Sequence, residues 1–125
     1  MLALWRGAGG PASVTDTPDG LAALLRHDHD ALLIVEGDEG PIASLIALFD
    51  GWRGNFYKLA VRPERRREGI ASALLREGER RLRGLGARRL SALVADEDAG
   101  AVEFWLAAGY HRQPGRARFI RHLEA

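Results

Sequence analysis

Between Asn55 and Ala95 the hydrophobic period of the chain changes twice, and this limits the possible folds more than any other feature. Asn55–Val61 is an apolar run of strand length that ends where Arg62-Pro63 breaks the pattern. From Gly69 the apolar positions Ile70, Ala73, Leu74, Leu82 and Leu85 recur on one helical face, with Arg and Glu on the other. Gly84 and Gly86 stop this helix near Arg83, and Arg89–Ala95 then has the length and composition of a buried strand. A strand, a long helix and a second strand predict a crossover unit with the two strands parallel.

The segments on either side extend the pattern. Thr17-Pro18-Asp19 offers an N-cap, a proline at the first helical position and an acid in the first turn, which predicts a helix over Pro18–His27. Ala31–Glu36 and Ile42–Phe49 are apolar runs separated by the turn residues Gly37–Gly40, and with Asn55–Val61 they predict an antiparallel meander. Leu2, Leu4 and Trp5 read as the end of a helix before a loop at Gly7–Pro11. Asp98 can cap a short helix that Gly109 stops, and Tyr110–Arg112 with Ala117–His122 predicts a closing hairpin. The fold class is therefore α/β (α+β), with a mixed, mostly antiparallel sheet flanked by helices. A chain of 125 residues is expected to form one domain over 1–125.

Composition narrows the function. At 46% hydrophobic residues the chain can bury a core, and with no cysteine it has neither disulfides nor thiolate metal ligands, which is compatible with a reducing cytoplasm. No apolar run has the roughly 18–20 residues that a membrane span needs. The net charge of +1 argues against a nucleic-acid partner. The cluster His27-Asp28-His29-Asp30 is too tightly packed on one turn to converge on a metal, so it is read as a solvated helix end and no metal site is expected. All the cationic side chains except Lys58 are arginine, and Arg62, Arg65, Arg66 and Arg67 crowd together before the long helix, where planar guanidinium groups suit phosphate.

That crowding gives the segment Val61–Ala71 its chemistry. A helix begins with unpaired N–H groups and a partial positive charge, and Gly69 lets an anion reach the main chain. A pyrophosphate would fit there, although a solvated basic turn would show the same composition. At this point the sequence resembles the GNAT superfamily of N-acetyltransferases, whose motif (Gln/Arg)-x-x-Gly-x-(Gly/Ala) is matched by Arg66-Arg67-Glu68-Gly69-Ile70-Ala71 after Val61-Arg62-Pro63. A second family motif, Asn-x-x-Ala-x-x-Phe-Tyr-x-x-x-Gly-Phe, aligns with the segment from Asp98 to Tyr110, including Ala101, Phe104, Trp105 and Gly109.

The resemblance implies acetyl-CoA or CoA as cosubstrate and a primary amine of a small molecule or peptide as acceptor. It implies that the backbone of Leu59, Ala60 and Val61 pairs with the pantetheine arm, that Arg66 to Ala71 cradles the pyrophosphate, and that Asp98, Phe104 and Trp105 contact the cofactor. It also implies a parallel strand pair that splays to admit the arm.

Three departures qualify the resemblance. Trp105 stands where many members carry a tyrosine that protonates the departing thiolate, and an indole N–H is no practical acid. A catalytically weak acyl-CoA-binding module is therefore the alternative to an enzyme. Asp98 replaces the usual asparagine and can equally serve as a plain helix cap. Met1–Gly7 supplies only the end of the family's first helix, so the first strand is expected to be missing and one sheet edge left open to a partner, compatible with a homodimer. For a general base, Glu36, Asp50 and Tyr57 are the candidates nearest the expected cleft, each with a structural role as the competing explanation.

Overall fold

The computed structural model describes residues 1–8 and 13–123, in two compact units, Met1–Leu93 and Val94–Ala125. Most of the loop expected at Gly7–Pro11 lies outside the described residues. The first unit runs α1 (Leu2–Ala8), α2 (Pro18–His27), β1 (Leu32–Gly37), β2 (Gly40–Phe49), β3 (Gly54–Val61), α3 (Ile70–Leu85) and β4 (Leu90–Ala92). The start of α2 follows from its first residues: Thr17 is extended, Pro18 opens the helix, and the Thr17 hydroxyl accepts the Gly20 N–H at 3.0 Å.

The sheet order is β1-β2-β3-β4. β1 and β3 flank β2 in antiparallel register, whereas β4 joins β3 in parallel through α3. The meander and the crossover unit are both present. β2 is buried from Ile42 to Ala47, so both of its faces are covered. Leu45 and Ala47 meet α3 beside Phe56. Ile46 packs on the opposite side with Leu4, Trp5 and Ala31, joined by Leu21 and Leu24 of α2.

The buried stripe of α3 differs from the one expected. Leu74, Leu75, Gly78 and Leu82 face inward, while Ala73 and Leu85 are exposed. Gly78 explains the shift, because a Cβ there would lie 2.9 Å from both Leu45 Cδ2 and Phe56 Cε1. The helix seats its backbone against the sheet at a residue that an apolar pattern does not mark. Arg81 secures this seat by donating through Nε to the Ala47 carbonyl at 3.2 Å and by pairing with Asp28 at the end of α2.

Two expected strands are corrected. Arg89–Ala95 forms a strand only over Leu90–Ala92, which pairs with Gly54–Phe56 and loses its partner where β3 departs from regular geometry. The second unit contains α4 (Ala99–Ala107) and no strand among its described residues, so the closing hairpin is not formed. Its residues give the reason. Phe119 and Ile120 are adjacent and would point to opposite faces, each shared with arginines, so no one-sided apolar surface rewards pairing. Phe119, Ile120 and Leu123 are all exposed. No described helix is long and apolar enough to cross a membrane.

Leu82 is fully buried, whereas Leu85 at the end of α3 is 46% exposed. Leu82→Ala is expected to lower the unfolding free energy by about 2–5 kcal/mol in urea titrations, and Leu85→Ala by under about 1 kcal/mol.

Candidate functional site

After Val61 the chain passes through a short 3-10 turn, Pro63–Arg65, into α3. Arg62 is used in the sheet: its N–H donates to the Ile42 carbonyl at 2.9 Å, and its guanidinium reaches the Pro41 and Glu39 carbonyls at 2.9 and 3.4 Å. Arg65 pairs with Glu68 at 3.0 Å, and the bond to that carboxylate raises the already high pKa of the guanidinium. Arg66 donates through Nε to the Val61 carbonyl at 3.3 Å. Arg67 is exposed, has a left-handed backbone (φ 68°) and makes no ion pair among the described residues.

The start of α3 has the form expected of an anion site. Gly69 is its N-cap, with φ 79° and ψ 7°, and no side chain caps it. The N–H of Ala73 makes its bond to the Gly69 carbonyl at 3.1 Å, so those of Ile70, Ala71 and Ser72 precede the helical ladder. A left-handed residue followed by helical ones turns successive N–H groups toward one concavity, at the positive end of the helix dipole. Gly69 adopts this conformation without strain, and a Cβ built on it would meet nothing within 4 Å. The donor set and the open approach both fit a pyrophosphate.

β3 supplies the second part of the site. Its pairing with β4 stops at Phe56↔Ala92, yet β3 continues to Val61 beside β2. The two parallel strands therefore part over the stretch that carries Leu59, Ala60 and Val61. Within it the register slips: Tyr57 pairs with Ile46 and Ala60 with Ser44, so Lys58 and Leu59 together oppose Leu45. This is a β-bulge, and Lys58 at its centre has φ 54°, a left-handed conformation that costs a residue with a Cβ about 1–2 kcal/mol. The bulge also returns Val61 to the buried face that Phe56 occupies, which an odd spacing in a regular strand would forbid.

Side chains from three other segments meet at the bulge. Ser44, fully buried, donates to the Lys58 carbonyl at 2.8 Å and accepts from Trp5 Nε1 at 2.9 Å. Lys58 Nζ pairs with Asp16 at 2.5 Å and lies 5.2 Å from the centre of the Trp5 ring. Burial alone would raise the Asp16 carboxyl, but the Lys58 hydrogen bond, the Ser13 N–H and the Lys58 charge outweigh it and hold the group below its ordinary value. Family motifs do not point to Trp5, Asp16, Ser44 or Lys58. The available signals were a lone lysine in an arginine-rich chain and the odd spacing from Phe56 to Val61.

The three base candidates are not brought together. Glu36 is exposed at one end of the sheet, opposite Pro41, while Asp50 follows the far end of β2, roughly 30 Å away at about 3.3 Å per residue. The Asp50 carboxylate accepts the N–H groups of Arg53 and Trp52 at 2.6 and 2.8 Å, bonds that lower its pKa and occupy it in its own turn. Tyr57 is half-exposed on β3 immediately before the bulge.

Asp98, Phe104 and Trp105 belong to the second unit. Asp98 caps α4 by accepting the Ala101 N–H at 3.0 Å, as its sequence position predicts. Trp105 is set edge-on between Phe104 and Tyr110, with ring centres at 5.6 and 4.9 Å.

Comparison with known proteins gives a consistent result. A model of the acetyltransferase (GNAT) family matches residues 3–110. An acetyltransferase of Yersinia enterocolitica is 29% identical over 89 residues, which are 71% of this chain and 63% of that one. One from Pectobacterium atrosepticum is 32% identical over 78 residues, 62% of this chain and 55% of the relative. The match thus spans less than two thirds of either relative. Among solved structures the fold is similar to an aminoglycoside N-acetyltransferase in complex with CoA, with a TM-score of 0.70 at 23% identity, covering 98% of this chain and 92% of that one. It is also similar to a GCN5-related N-acetyltransferase from Ralstonia eutropha, with a TM-score of 0.66 at 20% identity, covering 95% and 86%.

The lowered Asp16 pKa sets a pH dependence. A carboxylate whose pKa is lower folded than unfolded contributes stability that is full above its unfolded value, near pH 4, and is lost as pH falls toward the folded value. Asp16→Asn is therefore expected to be less stable than the parent at pH 7, with the gap in urea midpoint narrowing as the pH falls below about 4.

Proposed function

This chain belongs to the acetyltransferase (GNAT) family, and on that premise we propose that it transfers an acetyl group from acetyl-CoA to a primary amine of a small molecule or peptide, in the cytoplasm. The observation that carries the cosubstrate assignment is the uncapped start of α3, where left-handed Gly69 opens a set of N–H donors next to the stretch of β3 that β4 leaves. Arg66 to Ala71 would hold the pyrophosphate through main-chain N–H groups, with the exposed Arg67 guanidinium available to phosphate oxygens. Leu59, Ala60 and Val61 would pair with the pantetheine arm as an added strand does. The solved neighbours with bound CoA and with a CoA–aminoglycoside bisubstrate analogue support this cosubstrate and an amine acceptor.

Acetyl-CoA supplies an acyl group already activated as a thioester. An amine can therefore attack it directly, forming the amide and releasing CoA thiol, with one proton leaving the nitrogen. The protein's contribution is to align the reactants and to offer strand N–H groups to the carbonyl oxygen. Of the base candidates, only Tyr57 lies on β3, the strand proposed for the arm, two residues before Leu59. A thiol ionises near pH 8.5 in reference compounds, so the thiolate can depart without a dedicated protonating residue.

The first test is a thermal-shift titration with acetyl-CoA, CoA and ATP. At about 100 times the dissociation constant, linkage gives on the order of 2.7 kcal/mol, a rise of several degrees for both CoA forms. Gly69→Glu, which places bulk and negative charge in the open approach, is expected to abolish the rise. Gly69→Ala, which carries similar backbone strain without the charge, should keep part of it. Turnover is then read with a thiol reagent over an aminoglycoside, a peptide N-terminus and a lysine side chain. The chain has no cysteine, so the reagent reports only released CoA. Binding without release for any amine would favour the acyl-CoA-binding module, and no shift with millimolar CoA would remove the cosubstrate assignment.

A further inference from the structure

Lys58 is the only lysine of the chain, and it occupies the left-handed centre of the β3 bulge. A residue with a side chain stays in that conformation only where its surroundings over-determine it. Here the restraints come from three separate elements: Ser44 on β2, Trp5 on α1, and Asp16 before α2.

The chemistry of these groups fixes a direction. An indole Nε1–H can only donate, so the Ser44 hydroxyl must accept from Trp5, and its single proton is then directed to the Lys58 carbonyl. Among the described residues there is no cis peptide. In a trans peptide the C=O and the following N–H point in opposite directions. Holding the Lys58 carbonyl on Ser44 therefore turns the Leu59 N–H away from Ser44. Asp16 and the Trp5 ring hold the other end of Lys58, so the side chain cannot swing out and let the bulge flatten. The Asp16 side chain is 10% exposed and that of Lys58 28%, so this ion pair is partly shielded from solvent.

We propose that Trp5, Ser44 and Asp16 are positioning residues that lock Lys58 in the bulge and thereby aim the Leu59 N–H at the acyl carbonyl. The inference rests on the assignment of the cofactor arm to β3. It links the helical segment before β1 to the reacting centre: α1 and the residues around Asp16 set the geometry of the strand.

Glycine adopts the left-handed conformation freely, whereas a β-branched residue resists it. If Lys58 acts through conformation, Lys58→Gly, which keeps the left-handed region accessible but loses the Asp16 pair, should lower kcat less than Lys58→Val, which should lose roughly tenfold or more with little change in KM for acetyl-CoA. Ser44→Ala should lower kcat in the same way, and adding it to Lys58→Val should cost little more, because both release the same strand geometry.

A readout independent of turnover comes from the lone lysine. Selective 15N-lysine labelling gives one backbone amide signal, that of Lys58 itself. This signal should move in the parent when acetyl-CoA is added, and Asp16→Asn or Ser44→Ala should displace or broaden it before any ligand is present. Equal losses for Lys58→Gly and Lys58→Val would overturn the proposal. So would a defect confined to KM for the amine, or a signal that ignores both Asp16→Asn and Ser44→Ala. A parent signal that ignores acetyl-CoA, in protein that also shows no thermal shift, would instead remove the cofactor assignment on which the proposal stands.

Discussion

The burial of β2 on both faces is the constraint on which the rest of the first unit depends. Leu45 and Ala47 face α3, Ile46 faces α1 and α2, and the neighbouring strands pair along both edges. A strand covered on every side cannot slip by one residue without exchanging its two apolar sets, so its register is fixed. Once β2 is fixed, the bulge in β3 has a defined position against Leu45, and α3 has a defined seat at Gly78. Among the described residues Ser44 is the only polar side chain in the buried set, and its hydroxyl accepts from Trp5 and donates to the Lys58 carbonyl. An unpaired hydroxyl there would cost about 1–3 kcal/mol, so the core and the bulge stabilise one another.

The same construction separates the strands where a ligand would enter. β4 leaves β3 after Phe56, at the residue before the bulge begins. A bulge bends its strand and increases its twist, which accounts for the short pairing of β4. α3 then starts immediately after the end of β3, with its free N–H groups at the same end of the sheet. Two ordinary elements, a bulge and an uncapped helix, thus follow one another at the same end of β3. The membership in the acetyltransferase family gives this arrangement its chemical meaning.

Much of this was legible in the residues. Local chemistry alone located α2, because Thr17-Pro18-Asp19 states a cap, a first turn and a charge. The period change marks the crossover, and two spaced motifs carry the family resemblance. What escaped were features set by contacts distant in sequence. The inner stripe of α3 turns on Gly78, which has no side chain to mark it, and the bulge depends on Ser44 and Trp5, far from Lys58 along the chain. The expected closing hairpin failed for the opposite reason: composition favoured strands, but Phe119 and Ile120 offer no common face. Asp50 is a candidate base because the sequence puts it near the expected cleft, and its carboxylate accepts the N–H groups of its own turn.

The arginine crowding also reads differently once each side chain is placed. Arg62 and Arg66 donate to main-chain carbonyls and Arg65 is held by Glu68. Guanidinium groups suit this work because a planar fork can serve a carbonyl without losing its charge. Most of the cluster therefore builds the turn before α3, and Arg67 is the exposed member that makes no ion pair among the described residues. The division has a counterpart at Lys58. A compact ammonium carries its charge at one point, so it can fit between the Asp16 carboxylate and the Trp5 face, where a broad guanidinium would demand a wider space. The one position at which the chain departs from arginine is thus a position where geometry, rather than charge alone, selects the side chain.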